Sequence, residues 1–359
     1  VQSFPLIAIP FFMLTGSLMM GGKLGEALIG VLSSLIGRFH GGPGQVGVLS
    51  STIFGGVSGS AVADASAIGS LLIPWQKRLG YPPAFSAATL AAAATIDILI
   101  PPSIPMILFA LSSNTSVAAL FVAGILPGLL MCGGFMAACW WVGRRRNFPR
   151  ETAKLDWAKF RTQLVYASPA LVLPVLIVVF LRFGVATPTE VAVLSTLYAG
   201  VVSAVVYRDL GLQRLHRCVV EAGLSTGVVL LVIMSSAAIG WLLTFDRMPD
   251  GVVAWAQAHL SSGWSVILLM NVLMLVCGMF IDLPAAVLLL TPVFVPLANA
   301  IGMDLVQLGI MMTVNLAIGL YTPPVGTTLF ITSSLAKVKV GETVRELGPF
   351  YLVAFGVLA

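Results

Sequence analysis

Charge is scarce in this chain. Only 9% of its 359 residues are charged, with 14 acidic and 19 basic side chains, whereas 58% are hydrophobic. The mean hydropathy is +1.02. Such a composition excludes a water-soluble domain and is typical of a polytopic membrane protein. The basic residues cluster in loops, so the formal net charge of +5 indicates loops that face an anionic membrane surface and not a nucleic-acid partner.

Histidine, cysteine and nucleotide-binding motifs are also few. The three histidines lie in predicted loops, and the four cysteines show no CxxC spacing, which favours small buried hydrophobes over a metal site or disulfides. No G-x-x-x-x-G-K-[ST] motif occurs, so this chain does not hydrolyse ATP itself. A membrane serine protease would need G-x-S-x-G and a histidine within the membrane, but GVSGS at the first tip lacks the last glycine and the histidines lie in predicted loops. The G-x-G-D signature of an aspartyl protease is absent. The sequence therefore argues against an enzyme and against an organic cofactor.

What the chain does contain is an internal repeat. Pro101 and Pro102 return as Pro323 and Pro324. This separation, the repeat offset, also relates Gly56 to Gly278, Pro74 to Pro296, and Gly80 to Gly302. A double proline removes two backbone donors and clashes with the preceding turn, so we expect each apolar helix to break there. Broken helices paired between the halves of a repeat point to the binding site of a transporter.

Apolar runs of about 20 residues predict membrane spans, and with them an all-α fold. Full spans are predicted over residues 4–20, 117–142, 163–183, 191–207, 222–243 and from about 347 onward. Two shorter segments, 27–37 and 249–260, predict interfacial or partly inserted helices. The spans at 163–183 and 191–207 lack Gly/Ser-rich breaks, so we expect them to be continuous and to belong to a scaffold.

The repeat predicts three parts. Each copy is expected to contain a re-entrant hairpin followed by a broken helix. The copies are residues 1–142, with the hairpin at 46–75 and the broken helix at 84–113, and residues 222–359, with the hairpin at 267–297 and the broken helix at 305–336. Between them, residues 143–221 hold a basic loop and the scaffold spans.

Basic residues predict the orientation of the two copies. The loops at 143–162 and 208–217 are basic and are therefore expected on the cytoplasmic side. Lys77 and Arg78 follow the first hairpin, whereas the basic residues of the second copy follow its broken helix. This change of side favours an inverted repeat, in which each hairpin enters and leaves by the same face. If 46–75 crossed the membrane fully, the repeat would be parallel.

Three acidic residues lie in apolar territory: Asp64, Asp97 and Asp282. An ionisable group within the membrane is costly and is a candidate functional residue. Asp97 precedes the first break by four residues, Asp282 lies at the predicted tip of the second hairpin, and Asp64 lies just beyond the first tip. The alternative is that each carboxylate accepts hydrogen bonds from backbone N–H groups freed near glycine and proline.

Small and hydroxyl-bearing residues collect at the tips and breaks. Unwound backbone exposes carbonyl oxygens that can coordinate Na⁺, so we predict two Na⁺ sites, each formed by one tip and one break. The first is predicted to use Ser58, Gly59, Ser60, Asp97 and Ser103. The second is predicted to use Gly278, Asp282, Thr322, Pro324, Gly326 and Thr327. The alternative is that the small residues serve only close helix packing.

A small organic anion is predicted between the tips, near the bilayer midplane. No Lys or Arg is available there, so the positive partners would be helix N-termini and bound Na⁺. The predicted substrate-binding residues are Ser58, Gly59, Ser60, Ser103, Asn315 and Thr327. A passive channel is the alternative, and it would require neither matched sites nor inverted hairpins.

Four segments carry a family resemblance: GGVSGSAVADASAIGSLLIP, IPPSIPMILF, GMFIDLPAAVLLLTPVFVP and TPPVGTTLF. In this order they resemble the large membrane subunit of tripartite ATP-independent periplasmic (TRAP) transporters, and the resemblance covers almost the whole chain. It implies a Na⁺-coupled importer of a C4-dicarboxylate, keto acid or sugar acid, located in the bacterial inner membrane and working by an elevator movement of a transport domain against a scaffold.

The resemblance also implies two protein partners, a periplasmic substrate-binding protein and a small four-helix membrane subunit. The alternative is a stand-alone ion-coupled carrier of the wider ion-transporter superfamily, which shares the hairpin plan. Members of the family usually carry further spans before the IPFFMLTG segment. Because the chain starts at Val1 without Met and stops inside an apolar run, we expect it to be a fragment with a truncated second copy.

Overall fold

The computed structural model describes residues 5–20, 23–150, 157–260 and 262–359. Its regular elements are helices, and no strand occurs in these ranges, so the prediction of an all-helical fold is confirmed. The first half contains α1 (Pro5–Met20), α2 (Lys23–Ile36), α3 (Gly42–Ser58), α4 (Ala61–Arg78), α5 (Pro83–Ala93), α6 (Ile104–Ser113) and α7 (Val117–Arg145).

The middle of the chain and the second half continue the helical series. The middle contains α8 (Trp157–Arg182) and α9 (Pro188–Val201), which continues into a π-helical turn. The second half contains α10 (Leu212–Phe245), α11 (Met248–His259), α12 (Gly263–Gly278), α13 (Leu283–Ala300), α14 (Leu305–Gly319), α15 (Thr327–Ala336), α16 (Val340–Glu346) and α17 (Gly348–Leu358).

Four helices within the described ranges are long and apolar enough to cross a membrane. They are Val117–Arg145, Pro188–Val206, Leu212–Leu243 and Leu283–Ala300. Shorter apolar helices, α1 and α14 among them, accompany these four.

α8 adds a fifth candidate span if its two bent parts are counted as one. Phe160–Pro169 and Leu171–Arg182 meet at an angle of 43°. The expectation of a continuous span over 163–183 is therefore wrong. The physical reason is that Pro169 and Pro174 lie inside the helix, where each proline removes a backbone donor and clashes with the preceding turn.

The tip of the first hairpin lies against the first Pro-Pro break. Its arms α3 and α4 are joined by Gly59 and Ser60, and Gly59 has a left-handed φ of 64°. This backbone conformation suits glycine, which has no Cβ. A Cβ added at Gly59 would lie 2.5 Å from the carbonyl oxygen of Pro102. Glycine therefore allows both the turn and the close approach to the break.

The second hairpin meets its break through backbone contacts. Residues 279–282 join α12 to α13, and the backbone N–H of Val325 donates a hydrogen bond to the carbonyl of Met279 (3.3 Å). A Cβ added at Gly319 would lie 2.5 Å from the carbonyl carbon and oxygen of Gly278. The last turn of α14 and the end of α12 thus touch directly, with no side chain between them.

Both broken helices are interrupted at their Pro-Pro pairs. Residues 97–103 separate α6 from α5 and its terminal 3₁₀ turn, and residues 320–326 separate α14 from α15. The Pro101–Pro102 and Pro323–Pro324 peptide bonds are cis. Ser103 starts α6 as its N-cap, where its hydroxyl oxygen accepts a hydrogen bond from the backbone N–H of Met106 (3.3 Å). Such a cap satisfies one of the donors left over at a helix start.

Helices of the two halves pack in reciprocal pairs. α4 packs against α15, and α13 packs against α6. The bounds of α13 follow those of α4 at the repeat offset, and the bounds of α15 follow those of α6 at nearly the same separation. The alanine-rich α5 is buried along nearly its whole length and packs against α3, α4 and α15. Small side chains allow this close approach. Outside this core, α1 packs against α9 and α10, and α2 packs against α8.

Candidate functional site

The carboxylate of Asp97 lies inside the first tip. One oxygen accepts a hydrogen bond from the backbone N–H of Gly59 (3.1 Å). The other accepts bonds from the Ser58 hydroxyl (2.9 Å) and the Ser60 backbone N–H (2.9 Å). Hydrogen bonds to an ionised acceptor are stronger than neutral ones. Asp97 therefore joins the tip to the helix end before the break. This is the arrangement expected if an intramembrane carboxylate accepts hydrogen bonds from backbone N–H groups near glycine and proline.

Close backbone packing brings Asp97 to this position. A Cβ added at Gly55 would lie only 2.6 Å from the Cα of Asp97, so the last turns of α3 must present glycine there. The Asp97 side chain is fully buried. A carboxylate has about four lone-pair positions, and the three donors of the tip leave about one of them for a further partner.

Ser103 is used differently from the other residues of the first predicted Na⁺ site. Its hydroxyl donates to the carbonyl of Ile98 (2.6 Å) and also caps α6. The Pro102 carbonyl oxygen, by contrast, points at Gly59. Sequence reasoning missed this oxygen, because a backbone carbonyl has no residue-type signature. The structure thus brings Ser58, Gly59, Ser60 and Asp97 together, with Ser103 engaged in the break itself.

Carbonyl oxygens converge at the second break. A Cβ added at Gly326 would lie 3.0 Å from the carbonyl oxygen of Thr322 and 3.3 Å from that of Leu320. The Thr322 hydroxyl donates to the Ile318 carbonyl (2.6 Å), and the Thr327 hydroxyl oxygen is buried without a hydrogen bond to any described residue. Two carbonyl oxygens of the break thus lie beside Gly326, and that of Leu320 also accepts hydrogen bonds from the hydroxyl (2.9 Å) and backbone N–H (3.0 Å) of Thr328.

A cavity of about 240 Å³ lies between the two tips. The first tip contributes Gly59 and Ser60 to its wall, and the second contributes Asp282. The starts of α4, α6 and α13, residues of both breaks, α1 and α10 complete the lining: Met13, Ala61, Val62, Ile98, Ile104, Pro105, Ser225, Val228, Val229, Leu283, Pro284 and Leu320. No Lys or Arg occurs in this lining. The ionisable side chain in this lining is therefore the carboxyl group of Asp282.

Asp282 faces this cavity as an exposed side chain. It stands at the N-cap position of α13 without a capping hydrogen bond from its side chain. Its oxygens therefore remain accessible to a ligand. Ser225 on α10 also lines the cavity and was missed from the sequence, because it lies outside the predicted tips and breaks.

Other predicted substrate residues lie elsewhere. Asn315 is buried on α14, where its side-chain amide donates to the backbone carbonyl (2.9 Å) and side-chain oxygen (2.8 Å) of Asn271. Both asparagines line a separate, largely apolar cavity of about 770 Å³. Ser58, Ser103 and Thr327 are not on the wall of the cavity between the tips. Their assignment to the substrate stays a prediction.

Within the described ranges, no group of three or more His, Cys, Asp or Glu side chains could hold a metal ion. The four cysteines are free thiols. The oxygen-rich tips and breaks are instead chemically suited to a hard cation with few charged ligands.

Comparison with known proteins places the chain among transporters. A family model described as "Tripartite ATP-independent periplasmic transporter, DctM component" matches residues 1–359. The uncharacterized protein y4mL of Sinorhizobium fredii is 58% identical over 357 residues, which cover 99% of this chain and 85% of the relative. The 2,3-diketo-L-gulonate TRAP transporter large permease protein YiaN of Escherichia coli is 38% identical over 360 residues, covering 99% of this chain and 84% of that protein.

A solved structure has a similar fold. The YdaH transporter of Alcanivorax borkumensis superposes with a TM-score of 0.67 over 99% of this chain and 83% of its own. The two sequences are 17% identical, so this likeness establishes a common architecture and nothing about substrate or mechanism.

Proposed function

We propose that this chain, which belongs to the DctM component family of tripartite ATP-independent periplasmic transporters, couples the import of a small organic acid to Na⁺. Membership makes it a TRAP transporter large permease, a multi-pass membrane protein that takes up a substrate together with other TRAP components. The family prediction from the sequence is thereby confirmed, and YiaN is named a transporter permease, not an enzyme. Coupling ion, substrate and mechanism go further and are proposed here.

The observation that carries the proposal is the cavity between the tips. Its wall contains the starts of three helices, at Ser60 before α4, Ile104 in α6 and Leu283 in α13. Helix N-termini attract anions through unpaired N–H groups and the helix dipole. Asp282 adds a negative charge to the same wall, so an anionic substrate needs a cation as its companion. Na⁺ bound beside the tips would supply that charge.

Two Na⁺ sites, each made by a tip and a break, are the proposed source of this charge. The first comprises Ser58, Gly59, Ser60, Asp97 and Ser103, and the second Gly278, Asp282, Thr322, Pro324, Gly326 and Thr327. The remaining lone-pair position of Asp97 supports the first site. The carbonyl oxygens that converge beside Gly326 support the second, because unwound backbone carbonyls are common Na⁺ ligands in transporters.

The proposed substrate is a C4-dicarboxylate, keto acid or sugar acid. A cavity of about 240 Å³ suits a small molecule, and the helix starts at its wall suit carboxylate groups. YiaN is named for 2,3-diketo-L-gulonate, which is both a keto acid and a sugar acid, and this name supports the same chemical class for our chain.

The proposed mechanism is an elevator built on an inverted repeat. Reciprocal packing of α4 with α15 and of α13 with α6 is the pattern that a two-fold relation between halves produces. Tips and breaks line part of the cavity, and residues of α1 and α10 line another part. We propose that the tips and breaks move with the substrate, while α8, α9 and the long helices beside them form the scaffold.

The proposed setting is the bacterial inner membrane. There the chain would work with a periplasmic substrate-binding protein and a small four-helix membrane subunit. The words "tripartite" and "periplasmic" in the family description support a three-part assembly with one part outside the cytoplasm.

Uptake by the complete transporter in proteoliposomes tests the coupling. We expect an organic acid to enter only with an inward Na⁺ gradient and with the binding protein present. Uptake that ignores the Na⁺ gradient would refute the coupling, and strong uptake without the binding protein would favour a stand-alone carrier. Preference for a neutral solute in a matched panel would overturn the proposal of an anionic substrate.

Cysteine accessibility tests the elevator. In a variant without the four native cysteines, Ser60→Cys should change its reactivity toward a membrane-impermeant maleimide several-fold when Na⁺ and substrate are added, by analogy with site-gating motions. Leu197→Cys on α9, whose side chain is 61% exposed, should keep its reactivity. If both positions change, or neither does, the division into a moving part and a scaffold is wrong.

A further inference from the structure

Asp64 is a buried acid that the tip contacts leave without a partner. It lies in the first turn of α4 and is fully buried. Neither of its carboxylate oxygens has a hydrogen bond to any residue in the described ranges, whereas Asp97 accepts three. An ionised carboxylate without donors or counter-charge is strongly unfavourable inside a protein. Asp64 therefore needs a positive species that protein groups do not provide.

The groups around Asp64 supply oxygen atoms but no positive charge. The hydroxyl of Ser51 on the facing arm is close enough to the Asp64 carboxyl to interact with it. The hydroxyls of Ser51 and its neighbour Ser50 are buried and have no hydrogen bond to a described residue. The helices packed on this arm, α3, α5 and α15, contain no Lys, Arg or His. Electrostatically, the acidic neighbour of Asp64 is Asp97, which adds negative charge.

The basic residues nearest in the fold are engaged or lie apart. Lys77, at the opposite end of α4, donates its Nζ to the carbonyl of Ala336. On α10, Arg214 forms an ion pair with Asp209 and donates to the Leu18 carbonyl (2.8 Å). Arg217 lines a cavity of about 570 Å³ together with Ala63 and Ala67 of α4, and Asp64 is not part of that lining.

We propose that Asp64 and Ser51 form a monovalent-cation site inside the first hairpin, separate from the two tip-and-break sites. The buried carboxylate oxygens of Asp64 and the nearby Ser51 hydroxyl, none of which has a hydrogen bond to a described residue, could together serve as ligands of one ion. A set of ligands made only of oxygen selects a hard cation. One carboxylate balances one positive charge, and the known protein sites for divalent Ca²⁺ use several carboxylates.

The second half has no counterpart of this site. At the repeat offset from Asp64 and Ser51, the sequence has Ala286 and Leu273. The proposed ion therefore belongs to the first hairpin alone. Together with the ions of the two proposed tip-and-break sites, it would give an odd number of bound cations. The site lies away from the wall of the cavity between the tips, so its occupancy requires no bound substrate.

Equilibrium binding of radiolabelled Na⁺ to the purified transporter, without substrate or a gradient, tests the site. We expect Asp64→Asn to reduce the amount of bound Na⁺ by one ion per chain, and to remove part of the Na⁺-induced rise in the unfolding temperature. Asp250→Asn is the matched control, because Asp250 also lies in the first turn of a helix but is exposed. It should leave both measurements unchanged.

A second variant keeps the charge and tests the site even if Asp64→Asn does not fold. Ser51→Ala retains the carboxylate and should weaken Na⁺ binding at one site about tenfold, the low end for loss of a supporting partner at an ion site. Unchanged stoichiometry in Asp64→Asn together with unchanged affinity in Ser51→Ala would refute the proposal. So would a wild-type protein that gains no stability from saturating Na⁺ beyond the gain seen in Asp64→Asn, because no ion would then bind at Asp64.

The binding experiment also separates this site from the proposed transport function. Loss of one ion in Asp64→Asn, combined with uptake that ignores the Na⁺ gradient, would support the site and refute Na⁺ coupling. Normal stoichiometry in the variant, combined with Na⁺-driven uptake, would refute the site and support Na⁺ coupling.

Discussion

The two hairpin tips share a plan of helices, but they are held to their breaks by different chemistry. In the first, the Asp97 carboxylate accepts three hydrogen bonds from the tip. In the second, Gly319 is the repeat counterpart of Asp97 and packs its backbone on Gly278. Both tips are packed closely on their breaks, and the residue at this one position decides whether hydrogen bonds to a carboxylate are added to that packing.

The acidic residues of the two halves also belong to different elements. Asp97 belongs to the break and is buried within the tip, whereas Asp282 belongs to the tip and is exposed to the cavity. Ser60, the repeat counterpart of Asp282, occupies the same helix-start position without a charge. This contrast predicts that the first acid matters for stability and transport together, and the second mainly for ligand binding.

Replacing Asp97 with glycine, which copies the second half, should have the largest effect. The tip donors lose their acceptor, so we expect a loss of about 3 kcal/mol in the free energy of unfolding and a fall in uptake of about 100-fold, since a small misplacement of a site can cost that much. Denaturant unfolding and proteoliposome uptake measure the two effects. A stable, active variant would mean that packing alone holds both tips.

Gly319→Ala should come next. The new Cβ would lie 2.5 Å from the carbonyl carbon and oxygen of Gly278, so backbone must shift, at a cost of about 1–3 kcal/mol. Uptake should fall with it. Gly227→Ala on α10 is the control, because nothing lies within 4 Å of its added Cβ, and alanine favours a helix. Equal behaviour of the two variants would show that the second tip is not closely packed.

Asp282→Asn should alter ion dependence and leave stability nearly intact. The side chain is exposed and has no capping bond, so the free energy of unfolding should change by less than about 0.5 kcal/mol. The Na⁺ concentration for half-maximal uptake should rise about tenfold, as for a weakened ion site. A Na⁺ titration of initial uptake rates measures this, and an unchanged midpoint removes Asp282 from the ligand set.

Ser60→Ala should have the smallest effect. Its hydroxyl caps α4 through a long contact of 3.5 Å to the Ala63 N–H, so we expect a loss of about 0.5–1 kcal/mol. Ser116→Ala is matched, because Ser116 caps α7 in a similar way, 3.3 Å from the Ala119 N–H, but far from the tips in sequence. Both should lower stability alike, and Ser60→Ala alone should weaken Na⁺ dependence. If the two variants transport identically, Ser60 is only a cap.

The sequence could predict the helix plan because local chemistry sets helix ends. Double prolines stop a helix wherever they occur, and the repeat offset carried one half's boundaries onto the other, as α4 and α13 illustrate. The bend in α8 could also be predicted from Pro169 and Pro174, although the apolar run that contains them predicts a continuous span.

The chemistry of the site was less predictable, because it depends on contacts between distant parts of the chain. Asp97 reaches backbone N–H groups 37 and 38 positions earlier, and no periodicity encodes that distance. Asn315 looked like a ligand beside a break, yet its amide bonds to Asn271 on another helix. Residue type thus identified polar groups correctly, whereas tertiary packing decided which of them face each other.

Reciprocal packing between the halves has a consequence for biosynthesis. α4 and α6 leave the ribosome long before α15 and α13, the helices they pack against, have been translated. The core around α5 closes only once the chain has been made as far as Ala336, the end of α15. Completion of this core therefore waits for helices of the second half, and neither half closes it alone.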